Sequence, residues 1–191
     1  MKKLHVLARN WGDSYGGCGY LNSLAFYTKD NEKLEVTDIV SVGSSGAGGV
    51  TFKLNGVNAR IEWFNNYGGG YYPSNIFLTG ASYSTAILLY NMNSYSVEKQ
   101  GFCIYFEKDI PNIAYITLLT TYTPANNFVV SVDDGKYTDP VTTSGNEVFK
   151  IPIPRTSIKC IRGTNGRYYF LKPKKTLNTE EVIWGVNKWK C

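Results

Sequence analysis

Short runs of alternating apolar and polar residues, separated by turn signals every 8–20 residues, extend along the whole chain. The strongest hairpin signal is Asn55-Gly56, which lies between Val50–Leu54 and Val57–Trp63. Both turn residues tolerate a positive φ, and the flanking runs alternate as strands do. Two other predicted hairpins are Leu24–Thr28 with Lys33–Thr37, and Ser157–Arg162 with Arg167–Lys172.

Further strands are predicted between these hairpins, at Thr85–Asn91, Phe102–Glu107, Ile113–Thr121, Phe128–Val132 and Val148–Ile153. Prolines in the last run place it at a sheet edge. Helix candidates are short: Gly19–Phe26 and a turn after Asn178. Many short strands with regular turns are typical of sandwiches and small barrels. We therefore predict an all-β, mostly antiparallel β-sandwich or small barrel with at most one or two short helices.

The Gly/Ser-rich stretch Ser44–Gly49 is the best linker candidate. It predicts an N-terminal arm or hairpin over residues 1–49 and a main β domain over residues 50–191. A single domain over residues 1–191 is the alternative.

Composition supports a β fold and narrows the chemistry. Val, Ile, Thr, Tyr, Phe and Trp together make up 37% of the 191 residues, whereas the chain has eight Ala and one Gln. These proportions exclude a helical bundle and disfavour a doubly wound α/β fold. His5 is the single histidine, so sites that need two imidazoles are excluded. We expect no metal site and no cofactor.

Charged residues are unevenly distributed. The 35 residues from Trp63 to Val97 contain no Asp, Glu, Lys, Arg or His, yet they hold six of the 15 tyrosines. Their Gly-rich part, residues 65–75, is predicted to be a loop. Uncharged Tyr/Asn/Gly loops are typical of contact surfaces, because Tyr offers a large area at low entropic cost. The residues expected to contact a partner or ligand are Trp63, Tyr67, Tyr71 and Tyr72. A glycan site and an ordinary ordered loop are the alternatives.

The C-terminal fifth is basic. Residues 150–191 carry 10 Lys/Arg and two Glu, a formal charge of +8, whereas residues 1–149 have a formal charge of −3. The predicted basic surface consists of Lys159, Arg162, Arg167, Lys172, Lys174 and Lys175. It fits an acidic partner surface or the solvated face of a hairpin. Nucleic-acid binding is not expected, since no recognised binding motif accompanies the charge.

The segment Gly16-Gly17-Cys18-Gly19, followed by the predicted short helix, resembles the nucleophile region of papain-like cysteine peptidases. Those enzymes take their base from a histidine downstream of the cysteine, and His5 lies upstream. No phosphate-binding, dinucleotide-binding, zinc-protease or serine-hydrolase motif occurs. We expect no catalytic residue and no enzymatic activity.

The N-terminal residues lack the apolar stretch of a secretory signal, and no membrane span is predicted. The chain is therefore expected to be made in the cytoplasm. The leading hypothesis is a structural subunit of a larger assembly, such as a bacteriophage or viral virion protein of the tail, collar, fibre or capsid-decoration kind. Its partners would be other protein subunits. The alternative is a carbohydrate-binding module that uses exposed tyrosines.

Overall fold

In the computed structural model the described residues are 1–43, 48–65, 67, 70–110, 112–121, 125–143, 146–154, 160–162 and 168–170, the last two ranges and Tyr83 as backbone only. The chain divides into two units, Met1–Pro154 and Arg155–Cys191. The predicted boundary at residue 49 falls inside the first unit, where strands from both sides of it share a sheet. Within the described residues, no helix has the length and apolar character needed to cross a bilayer.

Twelve strands are described: β1 (Lys3–Asn10), β2 (Gly19–Tyr27), β3 (Val36–Val42), β4 (Gly49–Leu54), β5 (Val57–Trp63), β6 (Ile87–Leu89), β7 (Phe102–Phe106), β8 (Tyr115–Thr121), β9 (Asn126–Val132), β10 (Val148–Pro152), β11 (Cys160–Arg162) and β12 (Tyr168–Phe170). The first unit contains a six-stranded sheet of order β3-β4-β5-β7-β1-β9 and a four-stranded sheet of order β10-β8-β2-β6. Every pairing is antiparallel. The all-β, mostly antiparallel prediction is confirmed.

The two sheets share one apolar core, as in a β-sandwich. Alternate residues of β1, including Leu4, Val6 and Ala8, are fully buried in it. From the other sheet, Phe26 of β2 stacks on Phe52 of β4, with 6.0 Å between ring centroids and 21° between planes. This contact joins the two sheets. Because aromatic side chains bury large apolar areas, it is expected to be a major contribution to folding stability.

In the described part of the chain, the helical elements are all 3-10 turns of three to five residues. The predicted helix Gly19–Phe26 is wrong, because this segment is β2. The segment resembles a helix in sequence because its apolar residues do not alternate with polar ones. In the structure both faces of the strand are buried, and a register shift between Asn22 and Ala25 interrupts the alternation of side chains between the two faces. The predicted turn after Asn178 lies outside the described residues.

Turn chemistry accounts for the best-predicted hairpin. Asn55 and Gly56 have φ values of 46° and 78°, so the two-residue turn between β4 and β5 takes the left-handed conformation that this sequence favours. The predicted hairpin of the second unit is also present, since β11 pairs antiparallel with β12. The predicted hairpin of Leu24–Thr28 with Lys33–Thr37 is present only next to its turn, where Tyr27 and Lys33 form an isolated antiparallel bridge. The regular strand β3 begins later than expected, at Val36, and pairs with β4.

We predict that Phe26→Ala lowers the free energy of unfolding by about 3–5 kcal/mol, because it removes a fully buried ring from the contact between the sheets. Urea denaturation measures the change. The exposed apolar Leu78 provides a control, since Leu78→Ala should change stability by no more than about 0.5 kcal/mol. Equal effects of the two substitutions would contradict the inter-sheet packing.

Candidate interaction surface

The register between β2 and β6 determines which side chains leave the core. Leu21 lies opposite Ile87, and both point into the main core. Their neighbours Tyr20 and Leu88 lie opposite one another and point to the outer face of the sheet, since successive side chains of a strand alternate. There they form a second apolar cluster together with Cys18 and Ala86.

Tyrosines gather around this second cluster. Tyr71 and Tyr90 pack against it, and Tyr67 contacts both. The ring pairs meet edge to face: Tyr20–Tyr71 at 5.8 Å and 62°, Tyr67–Tyr71 at 6.1 Å and 63°, and Tyr67–Tyr90 at 5.6 Å and 87°. We call the surface formed by Tyr15, Tyr20, Tyr67, Tyr71 and Tyr90 the tyrosine surface, and we include the exposed Tyr72 because it follows Tyr71 in the sequence.

Exposure increases from the floor of the tyrosine surface to its rim. Tyr20 is buried, Tyr71 and Tyr90 are half-buried, and Tyr67 and Tyr72 are 49% and 60% exposed. Burial is the main reason that the pKa of Tyr20 lies well above its usual value, with further increments from the neighbouring Tyr71. The floor is therefore uncharged at physiological pH. The rim offers apolar area with phenolic hydroxyls that can donate or accept hydrogen bonds.

The contributing segments are uncharged over long stretches. No Asp, Glu, Lys, Arg or His occurs from Ser14 to Thr28 or from Trp63 to Val97, and these two segments supply all six tyrosines. That Tyr67, Tyr71 and Tyr72 contact a partner or ligand stays a prediction. Two members of the tyrosine surface, Tyr15 and Tyr20, come from the region that the sequence analysis considered for a cysteine nucleophile and a short helix, not for its tyrosines. Tyr90 follows a buried strand.

The chain itself holds part of the tyrosine-bearing loop in place. The Tyr67 amide donates a hydrogen bond of 2.8 Å to the Leu88 carbonyl, and the Asn65 side-chain amide donates one of 3.1 Å to the Tyr90 carbonyl. The described part of this loop therefore lies along β6 and covers the edge of the four-stranded sheet. Residues 66, 68 and 69 lie outside the described residues.

A buried asparagine holds the other side of the tyrosine surface. The Asn75 side-chain amide donates hydrogen bonds of 3.2 Å to the carbonyls of Ser84 and Ala86. Asn75 belongs to the 3-10 turn Pro73–Phe77, which directly follows Tyr71 and Tyr72. One end of the segment is thus joined by hydrogen bonds to Leu88 and Tyr90, and the other end to the residues that immediately precede β6.

Trp63 does not belong to the tyrosine surface. It is only 6% exposed and packs edge to face on Phe102, with 5.7 Å between ring centroids. As the last residue of β5 it continues the alternation of Ala59 and Ile61 into the core. The sequence-based assignment of Trp63 to an exposed contact is corrected here: the strand pattern, which runs through residue 63, was the signal for its burial.

The predicted basic surface falls mostly outside the described residues. This applies to Lys159, Arg167, Lys172, Lys174 and Lys175. Arg162 is the last residue of β11, where the structure describes the backbone alone. Whether these side chains face a partner or solvent stays a prediction.

Close packing explains the Gly-Gly-Cys-Gly segment. Gly17 has φ 93°, and a Cβ atom there would lie 2.6 Å from the Asn93 side chain. Cys18 is fully buried beside Tyr20 and Leu88. The glycines thus allow the loop before β2 to approach the loop after β6, and the thiol faces the interior of the apolar cluster.

His5 is part of a closed hydrogen-bond arrangement on the outer face of the six-stranded sheet. Its Nε2 lies 2.7 Å from the Gln100 carbonyl, which can only accept, so Nε2 carries the proton. Nδ1 then accepts from the Tyr137 hydroxyl at 2.7 Å. The ring is 6% exposed, and burial lowers the pKa of His5 below its usual value. His5 is therefore a neutral structural residue whose two nitrogens are both occupied.

The described residues contain no group of three His, Cys, Asp or Glu side chains placed to hold a metal ion. Comparisons of the chain with protein-family models, curated proteins and solved structures find no match.

We predict that folding stability decreases as pH falls from about 7.5 to about 5.5, and that His5→Gln reduces this decrease. The unfolded chain takes up a proton near pH 6.5, whereas the folded pKa is lowered by burial, so stability is fully present above pH 6.5 and is lost below it. The slope contributed by one group is at most about 1.4 kcal/mol per pH unit. Urea denaturation at the two pH values tests this, and an equal loss in both proteins would contradict it.

We also predict that iodoacetamide modifies Cys18 and Cys103 slowly in the native protein. Both thiols are buried, and burial raises the pKa of Cys103, which disfavours the reactive thiolate. Peptide mass mapping after timed labelling measures each site, with urea-unfolded protein as the reference. Rapid labelling of Cys18 in the native state would contradict its placement in the apolar cluster.

Proposed function

We propose that the protein is a non-enzymatic subunit of a larger protein assembly and that its tyrosine surface docks onto a neighbouring subunit. The observation that carries this proposal is the exposed ring of Tyr67, which packs on Tyr71 and Tyr90 above a buried aromatic floor. Tyrosine is enriched at protein interfaces, and charged residues are depleted at their centres. A pre-ordered rim also reduces the entropy lost on binding.

Ring geometry favours a protein partner over a sugar. Sugar-binding platforms present the faces of rings, ideally two or three of them in one plane. The ring of Tyr67 meets those of Tyr71 and Tyr90 at 63° and 87°, so it shares a plane with neither of them. Tilted rings of this kind suit the uneven, mixed apolar and hydrogen-bonding surface of a protein better than the flat face of a sugar.

The surroundings of the two chemically reactive side chains support a role without catalysis. A cysteine nucleophile needs an accessible thiol and a base within hydrogen-bond reach. Cys18 is buried among apolar residues, and both ring nitrogens of His5 are engaged by Gln100 and Tyr137.

A virion is the kind of assembly that we propose, with the protein as a tail, collar, fibre or capsid-decoration component of a bacteriophage or virus that is made in the cytoplasm. Support comes from the all-β architecture together with the long uncharged Tyr/Asn/Gly segment. These features suit a part that functions by fitting against neighbours.

We predict that the double substitution Tyr67→Ala/Tyr72→Ala weakens assembly while the chain stays folded, because both rings are substantially exposed. Central interface tyrosines typically cost about 2 kcal/mol or more when truncated, which is roughly a thirtyfold loss of affinity. The measurement is size-exclusion chromatography with light scattering, after co-expression with the products of the flanking genes.

Tyr115→Ala is the matched control. Tyr115 stacks on Tyr27 at the opposite end of β2 from Tyr20, with 4.8 Å between ring centroids, so its loss should leave assembly unchanged. Circular dichroism on the same samples checks folding. The proposal fails if the double variant is folded and assembles as the parent protein does.

A further inference from the structure

The first unit has four sheet edges, and its own chain covers two of them. Beyond β6 lies the segment of Asn65 and Tyr67. Beyond β9 lies the segment of Thr138 and Val141: Phe128 and Val141 exchange backbone hydrogen bonds of 2.9 and 2.8 Å, and the Thr138 amide donates one of 2.9 Å to the Val130 carbonyl. Covered edges cannot add another strand.

The third edge, β10, is blunted, which means that its residues disfavour pairing with a further strand. Strand β10 carries an exposed lysine, Lys150, and ends at Pro152, which has no amide hydrogen to donate. Lysine and proline are the residues that natural proteins use to keep an edge strand from pairing with another chain.

The fourth edge, β3, lacks these protective residues over its final part. Among the described strands β3 pairs with β4 alone. A bulge at Asp38, where φ is 52°, interrupts the edge, and beyond it Val40, Ser41 and Val42 pair regularly with β4. Val40 is 58% exposed and Val42 is 53% exposed. Both lie on the outer face of the sheet, because Ser41 points inward to accept a hydrogen bond of 3.0 Å from the Ser74 amide.

The sequence of this edge is complementary to itself. In an antiparallel pairing centred on Ser41, Val40 of each copy lies opposite Val42 of the other, on one face of the joined sheet. Asp38 is the single charged residue of β3, and Lys53 of β4 already neutralises it at 2.7 Å. The two Asp38 residues would lie six positions apart, about 20 Å, which is well beyond the screening length at physiological salt.

We propose that β3 pairs with β3 of a second copy of this chain, which joins two six-stranded sheets into one twelve-stranded sheet. Hydrogen bonds from those main-chain groups of residues 40–42 that face away from β4 provide the attraction, and the two Val40–Val42 contacts bury the exposed apolar area. This interface uses other residues than the tyrosine surface, although the two are joined through the turn Pro73–Phe77, whose Ser74 amide bonds to Ser41. It gives the proposed subunit a second contact, which the two sets of variants test independently.

The test is sedimentation equilibrium of the full-length chain, in which the parent protein is expected to dimerise. Val40→Lys replaces one valine in each of the two Val40–Val42 contacts by a charged side chain. It should weaken dimerisation by roughly tenfold or more. Val148→Lys is the matched control, since Val148 is equally exposed at 58% and lies on the blunted β10 edge. Val42→Lys provides a second variant if Val40→Lys fails to fold by circular dichroism.

Dimers that dissociate in the Val40→Lys or Val42→Lys variant but persist in Val148→Lys support the proposal. A parent protein that stays monomeric overturns it, and so do equal effects of Val40→Lys and Val148→Lys. Dimers that dissociate in Tyr67→Ala/Tyr72→Ala but not in Val40→Lys overturn this pairing and leave the tyrosine surface as the interface. The reverse pattern, with no effect of the tyrosine variant on any assembly, supports β3 pairing and overturns the proposed function.

Discussion

The alternation of side chains along β2 links the core of this protein to its candidate surface. Leu21 and Phe26 must point inward to bury apolar area between the two sheets, and the first of these orientations forces Tyr20 outward. Once Tyr20 lies on the outer face opposite Leu88, the remaining tyrosines have an apolar floor to pack on. A shift of one residue in this pairing would exchange core and surface.

One segment of the chain serves both a sheet edge and the tyrosine surface. The segment that bears Tyr67 covers the β6 edge through backbone and asparagine hydrogen bonds, so a single loop both protects the sheet and presents an aromatic ring to solvent. Such a loop can be ordered before a partner arrives, even though it is rich in glycine. The hydrogen bonds to Leu88 and Tyr90 offset part of the entropy lost by the backbone.

Local chemistry made several elements predictable from the sequence. Asn55-Gly56 has a strong conformational preference, so its hairpin was predicted with nearly correct bounds. In contrast, β1 was missed because Leu7 and His5 are buried as well as Leu4, Val6 and Ala8, so the segment lacks a clear polar alternation, and it follows two lysines. The segment of β2 was interpreted as a helix because burial on both faces removes the polar alternation that marks a strand. The tyrosine surface was predicted only in part, since Tyr20 and Tyr67 meet through tertiary contacts that no local pattern records.

The central claim is that the tyrosine surface is buried against a protein neighbour. Hydroxyl-radical footprinting read out by mass spectrometry, on the isolated chain and on its assembly, measures this directly at individual side chains. The account predicts that oxidation of Tyr67 and Tyr72, which are exposed in the isolated chain, falls severalfold on assembly while that of Tyr115 is unchanged. Equal oxidation of Tyr67 and Tyr72 in the two states would contradict the account.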